Sequence, residues 1–116
     1  MDARTLKALK ASIEKWERNA RAEDPELYLT SPKDCPLCQL FFADGACKGC
    51  PIMNRTGHYH CAETPYENAE DIHSTWEDEY YFNAESDKEL ALARKARQAA
   101  QEEVEFLKSL LPDGEE

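Results

Sequence analysis

Ser86–Leu111 reads SDKELALARKARQAAQEEVEFLKSLL, and its pattern decides the fold class. Leu90, Ala93, Arg97, Ala100, Val104, Leu107 and Leu111 recur at alternating steps of three and four, the spacing of one helical face. A second line, Leu92, Ala96, Ala99, Phe106 and Leu110, widens the apolar surface. Ser86 and Glu89 form a capping box, and Pro112 and Gly114 end the helix, which is therefore predicted over 86–111. Arg97 interrupts the stripe and is expected at its rim, with the stem packed and the head in water. The alanines would let another helix approach closely, and the same surface would suit a homodimer.

Two further helices follow from the same periodicity. Leu6, Leu9, Ile13, Trp16 and Ala20 share one face of a helix predicted over 2–22, which Asp24-Pro25 stops because the residue before proline is pushed out of the α region. Residues 24–34 read as a loop between Pro25 and Pro32. Thr64-Pro65-Tyr66-Glu67 combines a cap, a first-turn proline and a reciprocal carboxylate. Ala69, Ile72, Trp76 and Tyr80 then continue a short acidic helix over 65–79. The predicted fold is mainly α, in one domain over 1–116. Antiparallel terminal helices and the short acidic helix would flank an irregular, zinc-stapled cysteine loop at 35–63.

All five cysteines lie in that loop, as Cys35-x2-Cys38-x8-Cys47-x2-Cys50-x10-Cys61. A Cys-x-x-Cys hook points two sulfurs to one side of a tight turn, where both reach one ion at about 2.3 Å. Pro36 sets the first turn, Gly49 suits a positive φ in the second, and Asp44-Gly45 can fold one hook onto the other. Four thiolates from Cys35, Cys38, Cys47, Cys50 and Cys61 are expected to hold Zn2+, with an iron–sulfur cluster as the alternative metal group. The odd cysteine leaves open which four ligate, and His58 or His60 is chemically able to replace one. A closed thiolate shell has no open position for water, so the metal is read as a staple. His73 is expected to be an ordinary packed or surface residue.

The runs Cys-Pro-Leu-Cys-Gln-Leu-Phe-Phe, Cys-Lys-Gly-Cys-Pro-Ile, Arg-Thr-Gly and Cys-Ala-Glu-Thr-Pro-Tyr, behind a Trp-bearing amphipathic opening, give roughly residues 9–67 a family likeness. This region resembles a group of small, uncharacterised cysteine-rich accessory proteins of bacteriophages. The resemblance implies an accessory role in the bacterial cytoplasm and makes Cys61 part of the motif. It implies no particular activity.

Charge narrows the function classes. The chain carries a net charge of -10 over 116 residues, with a mean hydropathy of -0.77. Residues 63–89 hold ten acids against Lys88 alone. Such a field repels phosphate backbones and makes duplex nucleic acid an unlikely partner. It attracts a basic protein surface instead, with Tyr66, Trp76, Tyr80, Tyr81 and Phe82 as anchors. No apolar run approaches membrane-spanning length, and the opening Met-Asp-Ala-Arg-Thr-Leu-Lys lacks the apolar core of an export signal, so a cytoplasmic setting is expected.

The leading expectation is a non-enzymatic, zinc-stabilised acidic protein that binds a host or phage protein; its specific version is an acidic mimic bound by a protein that handles nucleic acid. One alternative is a nucleic-acid-binding zinc module using Lys33, Lys48, Arg55, His58 and His60. A metal-dependent nuclease built on Asn54, His58 and His60 is the weaker one.

Overall fold

The computed structural model describes residues 1–31, 34–41, 49–57 and 64–112, and the fold is mainly α. Helix α1 spans Ala3–Asn19, short helices α2 and α3 span Pro36–Phe41 and Pro51–Thr56, α4 spans Pro65–Asn83, and α5 spans Asp87–Lys108. Each long helix starts where its cap dictates. Asp2 accepts from the Thr5 N–H at 2.7 Å, Thr64 from Tyr66, and Ser86 from Glu89. These caps satisfy backbone donors that have no partner within the helix.

The closest packing is α4 on α5, a helical hairpin, with α1 laid along α5. Contacts between α1 and α5 run in opposite chain directions. Arg97 donates to the Ala22 carbonyl just beyond the C-terminus of α1, while Lys108 pairs with Glu17 further back along it. The terminal helices are therefore antiparallel, as predicted. Leu9, Ile13 and Trp16 of α1 meet Ala93, Ala96, Ala100, Val104 and Leu107 of α5 in one core, which Ala69 and Trp76 of α4 complete. The alanine line on α5 thus lies within the chain's own interior.

The boundaries and some faces differ from the sequence reading. The acidic helix is not confined to 65–79: α4 continues to Asn83, carrying Tyr80, Tyr81 and Phe82 with it. The first helix ends at Asn19 rather than at residue 22, and the last at Lys108 rather than at 111. The cysteine segment is not wholly irregular, since it contains α2 and α3. Leu90 is exposed, and its neighbour Glu89 points inward instead. Glu89 accepts from Trp76 Nε1 at 2.8 Å and from the Glu85 N–H at 2.9 Å. A carboxylate with two donors outcompetes leucine for that position. Arg97 keeps its stem packed, but its head bonds to a carbonyl rather than only to water.

The loop at 24–34 contributes a core residue. Its Pro25–Leu27 segment forms a 3-10 turn capped by Asp24, and Asn19 fixes the following strand of chain by exchanging two 2.9 Å hydrogen bonds with Leu29. Leu27 and Leu29 then face solvent while Tyr28, between them, is buried. Tyr28 packs edge-to-face on Trp16 and Trp76 and stacks on His73 at 5.0 Å. Its hydroxyl donates to the Ala96 carbonyl at 2.8 Å. His73 is an ordinary packed residue, as expected, with Nε2 2.8 Å from the Pro25 carbonyl oxygen.

Candidate metal centre

The first cysteine hook is built as its sequence requires. Pro36 occupies the first position of α2, Leu37 is fully buried, and the Gln39 N–H returns to the Cys35 carbonyl at 3.0 Å. Leucine in the core therefore pins the turn, and Cys35 and Cys38 face each other across it. Cys38 hydrogen-bonds to Cys35 through both its side chain and its backbone. Among the described residues, neither is joined in a disulfide.

In the second hook, Gly49 takes φ 88° as predicted, and a Cβ there would come within 3.4 Å of the Phe41 ring. Cys50 occupies the N-cap position of α3, with no side-chain bond to the helix N-terminus, and is buried. Ile52 enters the core, and the Arg55 guanidinium donates to the Ser109 carbonyl at 3.0 Å, tying α3 to the end of α5. Cys47 and Cys61, and with them His58 and His60, lie outside the described residues, as do Lys33 and Lys48. Among the described residues, no three His, Cys, Asp or Glu side chains come together as a metal cage. Asn54, the remaining member of the nuclease cluster, leans toward the Gly49 carbonyl oxygen at 3.5 Å.

Beneath the first hook lies a feature that the sequence reading missed. Ser12 Oγ is 3.9 Å from Cys35 Sγ. Lys15, one turn further along α1, is only 6% exposed, with its ammonium 5.2 Å from the centre of the Trp16 ring. Glu103 of α5 is 1% exposed, and its Oε1 has no hydrogen-bond partner among the described residues. Ser12 and Lys15 of α1 and Glu103 of α5 are thus three buried polar side chains, and of them Ser12 lies beside the Cys35 sulfur.

Their charges act on one another. The Cys38 hydrogen bonds, foremost, together with Lys15 and Ser12, hold the Cys35 thiol well below the ordinary thiol range against the opposing effect of burial. Thiolate is the form that binds metal. Burial, and then the Cys35 charge, push the Glu103 carboxyl up from 4.5 to about 8, with Lys15 opposing. Two cysteines on one turn suit a soft divalent cation, and Cys35 and Cys38 would supply half of a tetrahedral shell.

A periodic signal for these residues was present. Thr5, Ala8, Ser12, Lys15 and Asn19 form a second buried line on α1, at steps of three and four. Glu89, Ala93, Ala96, Ala100, Glu103 and Leu107 do the same on α5.

The aromatic anchors divide sharply. Trp76 is fully buried, and the Tyr66 hydroxyl lies 2.6 Å from the Thr30 carbonyl oxygen and 2.8 Å from Glu70 Oε2. Neither is free to anchor a partner, and Tyr80 packs partly against the core. Tyr81 and Phe82 remain, 83% and 77% exposed, edge-to-face at 5.2 Å. They end a helix that carries Glu67, Glu70, Asp71, Glu77, Asp78 and Glu79 and has no Lys or Arg.

Fold and site together define a small, mainly helical protein with cysteine-bearing turns packed on its core. The chain matches no family model, no curated protein and no solved structure. Among the described residues, no helix is long and apolar enough to cross a membrane.

Proposed function

We propose that this is a non-enzymatic, zinc-stabilised acidic accessory protein, encoded by a bacteriophage and acting in the bacterial cytoplasm, that binds a protein with a basic surface. The observation that carries the reading is the exposed Tyr81–Phe82 pair at the end of α4. Large aromatics left in water are typical binding anchors, and these two are the most exposed of the large hydrophobic side chains among the described residues. Glu77 and Asp78 stand on the preceding turn, and Glu85 and Asp87 follow. The last turn of α4 has no basic residue, so the negative end of the helix dipole adds to their field instead of being offset. A Lys- or Arg-rich segment with an apolar anchor complements such a surface, through ion pairs at the rim and cation–π contact at the centre.

Zinc held by the cysteine hooks is the structural half of this reading. Cys35 and Cys38 supply the first pair of ligands, and Cys47, Cys50 and Cys61 are the pool for the second. Self-association through α5 has only the rim of that helix to use.

The test is calorimetric titration of the full chain with a lysine-rich peptide carrying a leucine anchor. The parent chain should bind in a salt-sensitive manner. Tyr81→Ala/Phe82→Ala should weaken binding by at least about tenfold while leaving the unfolding midpoint unchanged. Equal binding by the two chains removes this surface from the proposal. Preferential binding of RNA or DNA would shift the reading to a nucleic-acid module.

A further inference from the structure

We propose that the partner of this protein is a basic amphipathic α-helix that lies along one side of α4, with one apolar anchor on Tyr81–Phe82 and a second, about three turns away, on Leu27 and Leu29. The inference rests on the reading of Tyr81 and Phe82 as a binding surface. It deepens that reading by adding a subsite on another element and by fixing the shape of the partner.

The second subsite starts from the chain after Pro25, which tertiary hydrogen bonds pin in place. His73 Nε2 lies 2.8 Å from the Pro25 carbonyl oxygen. Asn19 exchanges two hydrogen bonds with Leu29, and the Tyr66 hydroxyl lies 2.6 Å from the Thr30 carbonyl oxygen. Tyr28 is extended, at φ -99° and ψ 106°, so the residues on either side of it point away from its own direction. Its ring enters the core, and Leu27 and Leu29 are held outward, 59% and 43% exposed. A lone exposed leucine means little. Two leucines on a pinned backbone are ordered before a partner arrives, which lowers the entropic cost of covering them.

The side chains of α4 that receive this segment also place carboxylates beside it. The Tyr66 hydroxyl lies 2.8 Å from Glu70 Oε2, and His73 Nδ1 lies 3.9 Å from Glu77 Oε1. Glu70 and Glu77 therefore stand near the two ends of the Leu27–Leu29 run, and Glu26 precedes it. On α4, Glu70, Ser74, Glu77 and Tyr81 recur at steps of four, three and four, and all are exposed. The leucines meet this face between the levels of Tyr66 and His73, which puts them roughly 12 to 22 Å upstream of Tyr81. The strip is thus apolar at both ends, with carboxylates alongside, and α4 has no Lys or Arg. Charge complementarity selects a Lys- or Arg-bearing partner. An α-helix presents residues about eleven apart on one face, roughly 16 Å from each other. Two apolar anchors at that spacing reach both ends of the strip, while basic residues on the turns between them meet the carboxylates.

The test is calorimetric titration of the full chain with two lysine-rich helical peptides. One carries leucines three turns apart, and in the other a single one of these leucines is replaced by alanine. The two-leucine peptide should bind the parent at least about tenfold more tightly. Leu27→Ala/Leu29→Ala should reduce its affinity to that of the one-leucine peptide, at an unchanged unfolding midpoint. Equal affinities in the parent, or a preference that survives in the variant, overturns the second subsite. The Tyr81–Phe82 surface stands or falls separately, on whether Tyr81→Ala/Phe82→Ala weakens the one-leucine peptide. A parent chain that binds neither peptide sinks that surface and the inference with it. Should the Leu27/Leu29 variant fail to fold, Leu27→Ala alone decides: a several-fold loss confined to the two-leucine peptide supports the subsite, and no loss overturns it. A dimer of the parent, seen by sedimentation and broken by Leu27→Ala/Leu29→Ala, would assign the strip to a second copy of the chain and overturn the basic-helix partner.

Discussion

Tyr28 shows how one side chain can join elements that its local sequence does not connect. It sits between two exposed leucines in a proline-bounded segment, yet its ring touches Trp16 of α1 and His73 and Trp76 of α4, and its hydroxyl reaches α5. Nothing in a three-residue Leu-Tyr-Leu run distinguishes the inward residue, because a loop lacks the periodicity that identifies a face. Tyr28→Phe should keep the ring contacts and lose one hydrogen bond, lowering stability by about 1 kcal/mol, measured by urea unfolding at unchanged m-value. Lys15 and Glu103 were hidden differently. Both fall on the 3-4 spacing of buried lines, but charged residues at such positions are ordinarily assigned to the surface. Glu103 carries a pH signature. Its folded pKa is raised from 4.5 to about 8, so across that window the folded chain keeps a proton that the unfolded chain has released. This contribution to stability is present in full below 4.5 and is lost as pH rises through about 8. Glu103→Gln removes the dependence. The stability difference between parent and variant, followed by thermal unfolding from acid to mildly basic pH, should move in favour of the variant as pH rises.

At the scale of elements, the three long helices were legible because their apolar stripes and caps agree. The Ser86–Glu89 box forms with a change of partner. Glu89 accepts from Glu85 N–H and Trp76, a tertiary contact that spacing alone cannot reveal. The continuation of α4 past residue 79 was missed because the apolar stripe thins there while the helix still propagates. The α4–α5 turn carries its own strain: Glu85 adopts φ 67°, a left-handed conformation that non-glycine residues rarely take. Only its backbone N–H bonds to Glu89, so Glu85→Gly should preserve that bond and relieve the strain. An increase in stability of roughly 1 kcal/mol is expected by chemical denaturation. The Cys35–Cys38 hook was correctly placed on a tight turn and Cys47 lies outside the described residues, but the short helices α2 and α3 were not foreseen, since six-residue helices carry too few turns to show a period.

At the scale of the whole molecule, a helical core and a cysteine segment share one interior: Leu37, Cys50 and Ile52 belong to the same cluster as Leu9, Trp16 and Val104. A ligand that binds the folded state adds its binding free energy to folding. Because the cysteine turns are packed into the common core, that energy should reach the bundle. Stripping zinc with a strong chelator should lower the thermal midpoint of the entire helical signal, and added zinc should restore it. A midpoint indifferent to chelation would remove the staple. The sequence-level expectation of a mainly α fold thus matches the structure, while the shared interior became visible only in three dimensions.

Both tryptophans lie in the buried junction around Tyr28, and each ring contacts the tyrosine. Their emission should therefore be blue-shifted in the native state and should redden in a single step when that junction opens. An observer following this optical signal would be watching α1, α4 and the Pro25 turn separate together, without attaching any label.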